Sequence, residues 1–363
     1  MVNQITFQGR SFAGASVSNY GVVNTGDVVY TKSPLNSNPY GIIKVNKGIP
    51  GIVSTLYAIY HPRDNVYANF IQVYFEQHER MNNYMHPLVN KGAKNDMKVT
   101  AENALKGMVT FPSREEQYVI SAFFSRLDSL ITLHQRKYDK LCVLKKSMLD
   151  KMFPKGGSLY PEIRFAGFTD PWEQRKLSEL VEIERGGSPR PIERYITDDP
   201  CGLNWVKIGD APELGRYITQ TTEKIKPEGL AKTRQVYPGD LVLSNSMSFG
   251  RPYIMAIKGC IHDGWLLIRD AQKHFDPIFL CHMLGAPQML NQYRMFAAGS
   301  TVNNLNKELV GKAIVSLPSK DEQREIGIVF DRLDSLITLH QRKYCGVASW
   351  MLGVALVRLS SEK

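Results

Sequence analysis

Residues 109–138 read VTFPSREEQYVISAFFSRLDSLITLHQRKY, and residues 315–344 read VSLPSKDEQREIGIVFDRLDSLITLHQRKY. The two stretches align without a gap at an offset of 206 residues. Of their 30 positions 20 are identical, and the last 13 match without a break. A long repeat at a fixed offset indicates a duplicated structural unit. The chain is therefore expected to contain two halves that end in the same kind of element.

Each copy begins with a signature of a helix N-terminus. Ser113 and Ser319 are followed three residues later by Glu116 and Glu322, which is the spacing of a capping box. Apolar and aromatic side chains then recur every three or four residues, which predicts one packed helical face. In the first copy this stripe consists of Phe124, Leu127, Ile131, His134, Tyr138, Leu141 and Met148, with Leu130 and Leu144 widening it.

A helix over residues 114–152 would be roughly 55–60 Å long at about 1.5 Å per residue. So long a helix needs a second helix along its length, and the second copy of the repeat is the candidate. Steps of three and four residues favour coiled-coil packing. We expect the two helices to pack as an antiparallel coiled coil that separates two globular units.

A weaker repeat lies upstream of each helix. Residues 23–32 read VNTGDVVYTK and residues 236–245 read VYPGDLVLSN, so that Gly-Asp precedes a β-prone run in both. Apolar β-branched runs at residues 236–243 and 259–268 predict strands, whereas residues 66–85 and 277–293 favour helices. The fold class is therefore α+β. The predicted boundaries are a first globular unit at 1–112, a helix at 113–153, a linker at 154–171, a second unit at 172–316, and a helix with its tail at 317–363.

Composition restricts the function classes. Lys and Arg total 45 against 35 Asp and Glu, a formal net charge of +10, which suits a polyanionic partner such as nucleic acid. The 5 cysteines are scattered and form no Cys-x-x-Cys pair, so a reducing cytoplasm is expected. The N-terminus lacks the apolar core of a signal peptide. The longest apolar run is too short for a membrane span.

Residues 160–182, YPEIRFAGFTDPWEQRKLSELVE, resemble the opening of a target-recognition domain in the specificity subunits of type I restriction-modification systems. The Pro-x-x-x-Glu-Gln start of each long helix, followed by Leu-Asp, is also typical of that family. The resemblance implies two target-recognition domains on two long antiparallel helices, and a non-catalytic subunit that recognises double-stranded DNA. It implies two methylase subunits that bind S-adenosylmethionine, and restriction subunits that use ATP and Mg²⁺, so this chain needs no cofactor.

Two departures from the family pattern stand out. The second unit has a long segment before its Gly-Asp repeat, and about 42 residues of it, including the Trp-Glu-Gln-Arg-Lys-Leu opening, have no counterpart in the first unit. The first recognition domain is therefore expected to be truncated and to bind DNA poorly. The helical repeat also stops at Tyr344, after which Gly346 and Gly353 are expected to weaken the helix.

Candidate DNA contacts are loop residues that carry hydrogen-bond donors. Arg and Asn read guanine and adenine through paired hydrogen bonds, whereas Ser, Thr and Lys hold phosphates. An ordinary polar loop is the alternative for each residue. The candidates in the second unit are Lys207, Ser244, Asn245, Ser246, Ser248, Arg251, Ser300, Thr301, Asn303 and Asn304, and those in the first are Lys32, Lys91 and Lys94.

The identical segments predict docking surfaces. Pairing of two helices requires matched apolar positions, but it does not require matched polar residues on the outer face. Identity on both faces indicates that each copy contacts the same partner surface, although a recent duplication or gene conversion would also produce it. The candidate docking residues are Arg126, Gln135 and Arg136 in the first copy, and Arg332, Gln341 and Arg342 in the second.

No complete catalytic motif is found. Residues 38–40 (NPY) lack one proline of the amino-methyltransferase tetrapeptide and favour a turn, and residues 186–191 (GGSPRP) lack the P-loop lysine and favour a loop between strands. The family resemblance implies that such a loop can approach DNA. His134 and His340 are expected at the helix interface. The alternatives to a specificity subunit are a partial or inactive cassette with an assembly role, and a stand-alone DNA-modifying enzyme.

Overall fold

The computed structural model describes residues 4–11, 13, 16–32, 38–89, 99–245, 250–298 and 305–360, with side chains described up to residue 343. The chain forms two compact units, Met1–Leu130 and Ile131–Lys363, called unit 1 and unit 2 below. The boundary between them falls inside the first long helix. In the described part of the chain, no helix is both long and apolar enough to cross a bilayer.

The elements of unit 1 are short up to its long helix. Its strands are β1 (Gly21–Val23), β2 (Val28–Thr31), β3 (Ile43–Val45), β4 (Gly51–Val53) and β5 (Tyr57–Tyr60). Its helices are α1 (Gln4–Gln8), α2 (Ala68–Phe75), α3 (His78–Met85) and the first part of α4 (Arg114–Lys151). Single 3₁₀ turns lie at His86–Leu88 and Asn103–Leu105.

The core of unit 1 forms around strand β2. This strand pairs antiparallel with β3 on one side and β5 on the other, while β1 pairs with β4. Val28 and Tyr30 pack with side chains from α3, including Met81 and Met85. The Tyr30 hydroxyl donates to the Tyr40 carbonyl at 2.8 Å, and burial raises the pKa of Tyr30 to about 12. Unit 1 therefore has a packed core on one face of a small sheet.

Unit 2 is larger and contains most of the strands. They are β6 (Glu173–Lys176), β7 (Glu182–Arg185), β8 (Ile196–Thr197), β9 (Leu203–Val206), β10 (Tyr217–Ile218), β11 (Glu223–Ile225), β12 (Arg234–Val236), β13 (Leu241–Ser244), β14 (Pro252–Met255), β15 (Gly259–Ile261), β16 (Trp265–Arg269) and β17 (Ile314–Leu317). Its helices are the rest of α4, α5 (Pro277–Leu284), α6 (Pro287–Ala298), α7 (Lys307–Gly311) and α8 (Lys320–Ser360).

Two five-stranded sheets organise unit 2. One has the order β10-β14-β13-β16-β7 and the other β12-β15-β9-β11-β8, and β6 pairs with β17 beside them. Residues Leu241–Ser244 and Trp265–Ile268 are buried throughout, as expected for central strands covered on both faces. A second layer of core joins Trp172 and Phe279 to Phe153 at the end of α4 and Phe330 on α8. The sheets of unit 2 and its helix pair thus share one core.

The two Gly-Asp repeats fold into the same turn. Gly26 and Gly239 have φ angles of +92° and +94°, a backbone region that favours glycine. The carboxylate of Asp27 accepts the amide of Asn24 at 2.6 Å. Asp240 accepts the amide three residues before it, that of Tyr237, at 2.9 Å. The predicted upstream repeat is therefore confirmed as a repeat of structure: β1, β2 and β3 correspond to β12, β13 and β14.

A buried glutamine joins each long helix to its own unit. The Gln117 amide donates to the Pro112 and Asn65 carbonyls and accepts the Tyr67 backbone N–H at 2.8 Å. Gln323 makes the matching bonds, donating to Pro318 and His274 and accepting the Asp276 N–H at 2.7 Å. Each glutamine is 1% exposed. This duplicated contact fixes the start of α4 and of α8 against the loop before α2 and α5.

Within unit 2, α4 and α8 run antiparallel as predicted. The Nδ1 atoms of His134 and His340, which are matching residues of the repeat, lie 2.9 Å apart. Further along α4, Lys145 binds Asp334, which precedes His340 on α8. The expected place of both histidines in the helix interface is therefore confirmed. One imidazole donates an N–H hydrogen bond to the other, because a hydrogen bond between two rings needs one unprotonated nitrogen as its acceptor.

A buried ionic cluster ties α8 to the β10 region. Asp334 is bound by Lys145, its second oxygen lies 3.4 Å from Arg216 Nε, and His282 Nε2 is 3.8 Å away. Burial and the nearby Arg216 and Lys145 lower the pKa of His282 well below its ordinary value, so the ring is neutral near pH 7. Burial also lowers the pKa of Lys145. Asp334 thus faces two cations across one interface.

Some expectations need correction. Leu130 and Leu144 do not widen the packed stripe, since they are 45% and 47% exposed. Residues 66–85 and 277–293 each form two helices, because the chain turns between α2 and α3 and between α5 and α6. Only half of each capping box forms in the described bonds: Ser113 and Ser319 accept the N–H three residues on. Helix α8 runs to Ser360, and the weakening expected at Gly346 and Gly353 stays a prediction.

Candidate nucleic-acid interface

The loop that follows β7 lies flat on the turn between β15 and β16. Its amides at Gly186 and Gly187 donate to the carbonyls of Trp265 and Ile261 at 2.9 and 3.2 Å. A Cβ at Gly186 would collide with the His262 carbonyl. The two glycines are therefore required by a close backbone approach, as expected where a loop packs on a strand. The prediction of a loop between strands at residues 186–191 is confirmed.

Asp263 gathers polar side chains from this loop and its surroundings. Its Oδ1 accepts the Ser188 hydroxyl at 2.9 Å and lies 3.0 Å from His262 Nε2. Its Oδ2 lies 3.7 Å from an Arg190 guanidinium nitrogen. Its carbonyl accepts Arg185 Nε at 3.2 Å and the Asn245 side-chain amide at 2.9 Å. We call these five residues and Asp263 together the Asp263 cluster.

The Asp263 cluster adjoins the loops selected from sequence. Ser244 and Asn245 are buried, and the Asn245 carbonyl accepts the Leu305 amide at 3.1 Å. The Ser244 hydroxyl accepts the Arg251 amide at 3.0 Å. These two candidates therefore use polar atoms inside the protein and fix the ends of the neighbouring loops. The remaining candidates in those loops lie outside the described residues: Ser246, Ser248, Ser300, Thr301, Asn303 and Asn304.

The other candidates are spread over the molecule. Lys207 is partly exposed and binds Glu223 at the start of β11. The Arg251 guanidinium lies over the Tyr253 ring, 5.2 Å from its centroid, and donates to the Glu213 carbonyl. Lys32 in unit 1 follows β2 as Asn245 follows β13, and its amide donates to the Leu56 carbonyl at 3.0 Å. Lys91 and Lys94 lie outside the described residues.

Arg190 and Asp263, at the centre of the cluster, are not among the candidates predicted from the sequence. The Arg190 side chain, which belongs to the cluster, is 83% exposed. Residues 186–191 were identified as a loop that can approach DNA, but Arg190 and Asp263 are 73 positions apart in the chain. Their juxtaposition depends on how β7 pairs with β16, which a single sequence does not encode locally. In the described residues, no three His, Cys, Asp or Glu side chains come together as they would around a metal.

The identical helical segments expose the same leucines. Leu130 and Leu133 on α4 are 45% and 46% exposed, and Leu336 and Leu339 on α8 are 42% and 45% exposed. We call each pair a leucine stripe. Of the candidate docking residues, Arg126, Arg136, Arg332 and Arg342 are exposed, whereas Gln135 and Gln341 are half-buried. Each stripe is thus an apolar patch flanked by arginines, and the two stripes match residue for residue.

Comparison with known proteins identifies a family model and several relatives that match the chain. A family model described as the type I restriction modification DNA specificity domain matches residues 169–347. Two relatives come from Methanocaldococcus jannaschii. The type I restriction enzyme MjaVIII specificity subunit is 23% identical over 247 residues, which is 65% of this chain and 57% of the relative. The putative type I restriction enzyme MjaX specificity subunit is 22% identical over 326 residues, 88% of this chain and 74% of the relative.

Solved structures share the fold. A chain from work on complex assembly and conformational transition of the type I R-M system has a TM-score of 0.51 at 18% identity, covering 92% of this chain and 81% of that one. A type I restriction-modification S subunit from M. genitalium has a TM-score of 0.51 at 12% identity, covering 91% and 81%. The matched domain contains the Asp263 cluster and the whole second copy of the helical repeat, residues 315–344. Residues 169–347 thus belong to the family of type I restriction modification DNA specificity domains, and the chain is similar to type I restriction enzyme specificity subunits.

Proposed function

We propose that this chain selects the DNA site of a type I restriction-modification complex and catalyses no step itself. The observation that carries the proposal is the Asp263 cluster, which gathers hydrogen-bond donors from separate loops inside the matched specificity domain. Hydrogen-bond donors on neighbouring loops are the groups that proteins use to contact base edges and phosphates. Partner methylase subunits would supply S-adenosylmethionine, and restriction subunits ATP and Mg²⁺. The complex would act in the cytoplasm.

Recognition is proposed to be bipartite but uneven. Two units attached by the same glutamine contact to two long helices give two half-sites with an unread gap between them. In unit 1, the described strands form sheets of three and two strands, whereas each main sheet of unit 2 has five. Ile52 of β4 is 52% exposed, whereas its counterpart Cys260 of β15 is fully covered. Unit 2 is therefore expected to contribute most of the specific binding.

Sequence selection by the full chain tests this proposal. Purified chain is incubated with duplex DNA that carries randomised positions, and the bound fraction is sequenced and footprinted. We expect an enriched motif with strong protection over one half-site and weaker protection over the other. Recovery of random sequence would contradict a recognition role. If the chain still assembles with a methylase in that case, it is a cassette with an assembly role only.

Docking of two methylase subunits is supported by the two leucine stripes. Exposed leucines flanked by arginines are typical of an interface core with a polar rim. Because the stripes match in sequence and exposure, each is proposed to bind the same surface of one methylase copy, with pseudo-twofold symmetry. Exposed side chains on a helix also tolerate substitution, so that assembly can be tested without unfolding.

Native mass spectrometry of the co-expressed complex tests the stoichiometry. The unsubstituted chain should carry two methylase subunits. Charge reversal at both Arg136→Glu and Arg342→Glu should weaken assembly while the unfolding transition stays unchanged. Arg324→Glu, an exposed arginine at the start of α8, is the control and should keep both subunits. A complex with one methylase that is insensitive to both substitutions would contradict symmetric docking.

A further inference from the structure

We propose that Arg190 reads a guanine within the half-site of unit 2, with Asp263 orienting its guanidinium. This inference rests on the proposed function and names the base class that the Asp263 cluster recognises. The Arg190 side chain is 83% exposed, and one of its nitrogens lies 3.7 Å from Oδ2 of Asp263, whose side chain is 26% exposed. One side of the guanidinium therefore faces the carboxylate at ion-pair distance, and donors are left for a ligand.

The loop that carries Arg190 is hydrogen-bonded to neighbouring strands. It is bonded to both β15 and β16 through the amides of Gly186 and Gly187. On Asp263, Oδ1 takes the donors of Ser188 and His262, which leaves Oδ2 to face Arg190. The tautomer of His262 follows from its own bonds: Nδ1 accepts the Gly264 amide at 2.9 Å, so Nε2 carries the proton that faces the carboxylate.

The Asp263 carboxylate also favours a base over a phosphate as the ligand of Arg190. A phosphate that approached Arg190 would meet the negative charge of Asp263 beside it, and like charges at short range repel. Guanine O6 and N7 are neutral acceptors, and a bidentate Arg–guanine pair is the commonest specific contact in the major groove. Arginine presents a planar fork that fits two acceptors side by side, which a lysine does not. An arginine buttressed by aspartate is therefore suited to guanine.

Two nearby arginines differ from Arg190 in their contacts with Asp263. The Arg185 Nε atom donates to the Asp263 carbonyl rather than to its carboxylate. Arg194, in the 3₁₀ turn Ile192–Arg194, is exposed on the same connection between β7 and β8. It therefore provides a control with the same charge, nearly the same position in the chain and a different setting.

The test compares Arg190→Ala, Asp263→Asn and the control Arg194→Ala in the full chain. Each variant is put through selection on randomised duplexes, followed by affinity measurements on every single-base change of the motif. Arg190→Ala should lose the preference for guanine at one position and bind the motif about 5- to 150-fold more weakly. Asp263→Asn should weaken preference at that same position, and Arg194→Ala should select the original motif.

Two results would overturn the inference. In the first, Arg190→Ala weakens binding to all sequences uniformly and reduces the salt slope by about 1, which is the behaviour of a phosphate contact. In the second case it selects an unchanged motif at unchanged affinity. Failure of the unsubstituted chain to select any motif is a different outcome, since it removes the proposed function and this inference together. The variants are informative whenever the unsubstituted chain selects a motif.

Discussion

Asp128 and Asp334 occupy the same place in two identical 13-residue segments, yet their surroundings differ. Asp128 is exposed on α4 in unit 1, whereas Asp334 on α8 is bound by Lys145 and Arg216. Arg216 lies in the part of unit 2 that has no counterpart among the described residues of unit 1. The sequence position that matches Lys145 is Met351. The same residue is thus part of the core in one half and of the surface in the other.

The apolar positions show the same contrast. Phe330 is fully buried against Phe153 and His282, and Leu333 is 8% exposed. Their repeat partners Phe124 and Leu127 are only half-buried. Identical local sequence therefore gives the same helix in both halves, while burial depends on the unit packed against it. Matched substitutions in the two copies separate these effects.

The largest difference is expected for the aromatic pair. Phe330→Ala should destabilise unit 2 by about 3–5 kcal/mol, because it empties a fully packed site. Phe124→Ala should cost about 1–2 kcal/mol, since less area leaves water on folding. Hydrogen–deuterium exchange, read separately on peptides of unit 1 and unit 2, measures both. Equal losses would show that the two copies are equally packed.

The aspartate pair should come next. Asp334→Asn should cost about 3 kcal/mol, near the lower end for breaking a buried ion pair. Urea unfolding followed by tryptophan fluorescence reports this change, because Trp172, Trp205 and Trp265 are all buried in unit 2. A loss below about 0.5 kcal/mol would show that the cluster is solvated.

Asp128→Asn is the matched control for that experiment. Although the Asp128 side chain is exposed, partial loss of hydration and the nearby Glu76 carboxylate raise its pKa, so its ionised form is disfavoured in the folded state. The substitution should therefore be neutral or slightly stabilising at pH 7. Any gain should shrink as the pH falls through the raised pKa of the folded state. It should vanish below the ordinary value of 3.8, where Asp128 is protonated in both the folded and the unfolded state of the unsubstituted chain. Clear destabilisation at pH 7 would indicate an attractive partner for Asp128.

The capping glutamates give a smaller contrast. The Arg164 guanidinium donates two hydrogen bonds to Glu322, at 2.7 and 2.8 Å, and Glu322 is 1% exposed. Glu322→Gln should cost about 1.5–3 kcal/mol through the loss of bonds to a charged group. Glu116 is exposed, and Glu116→Gln should change stability by less than about 0.5 kcal/mol. Differential exchange at the starts of α4 and α8 measures both values.

The turn glycines should show no contrast. Gly26 and Gly239 have the same positive φ, and a Cβ would meet no atom within 4 Å at either. Replacement by alanine should therefore cost about 1–2 kcal/mol in both units, from backbone strain alone. Exchange of the β2 and β13 amides compares the two. A large effect at only one glycine would show that the turns are not equivalent.

These comparisons explain what the sequence could predict. The long helices, their pairing and the repeated Gly-Asp turn follow from local patterns, because periodicity, capping residues and glycine conformations act over a few positions. The Asp263 cluster could not be found in that way. It depends on β7 pairing with β16, so that Arg190 and Asp263 meet across a sheet edge. The burial of Ser244 and Asn245 likewise follows from sheet packing and not from their polar character.

The exposed leucines also show that local sequence does not determine burial, here for apolar residues. Leu130 fits the helical period of the packed stripe, yet it is 45% exposed, as is its counterpart Leu336 at 42%. Periodicity predicts which residues share a face of a helix. When a helix has two apolar faces, the elements packed around it determine which face is buried. Because both copies expose the same residues, the pattern is better explained by a shared partner than by the core.

Methylome sequencing of the host, with and without this gene, tests the central claim most directly. We predict a two-part methylated motif that disappears when the gene is deleted and returns when it is restored. Restoration with Arg190→Ala should relax the motif at one guanine position of one half-site, whereas Arg194→Ala should restore the original motif. A methylome that does not change on deletion, in a host with active methylase subunits, would contradict the claim that this chain selects their DNA site.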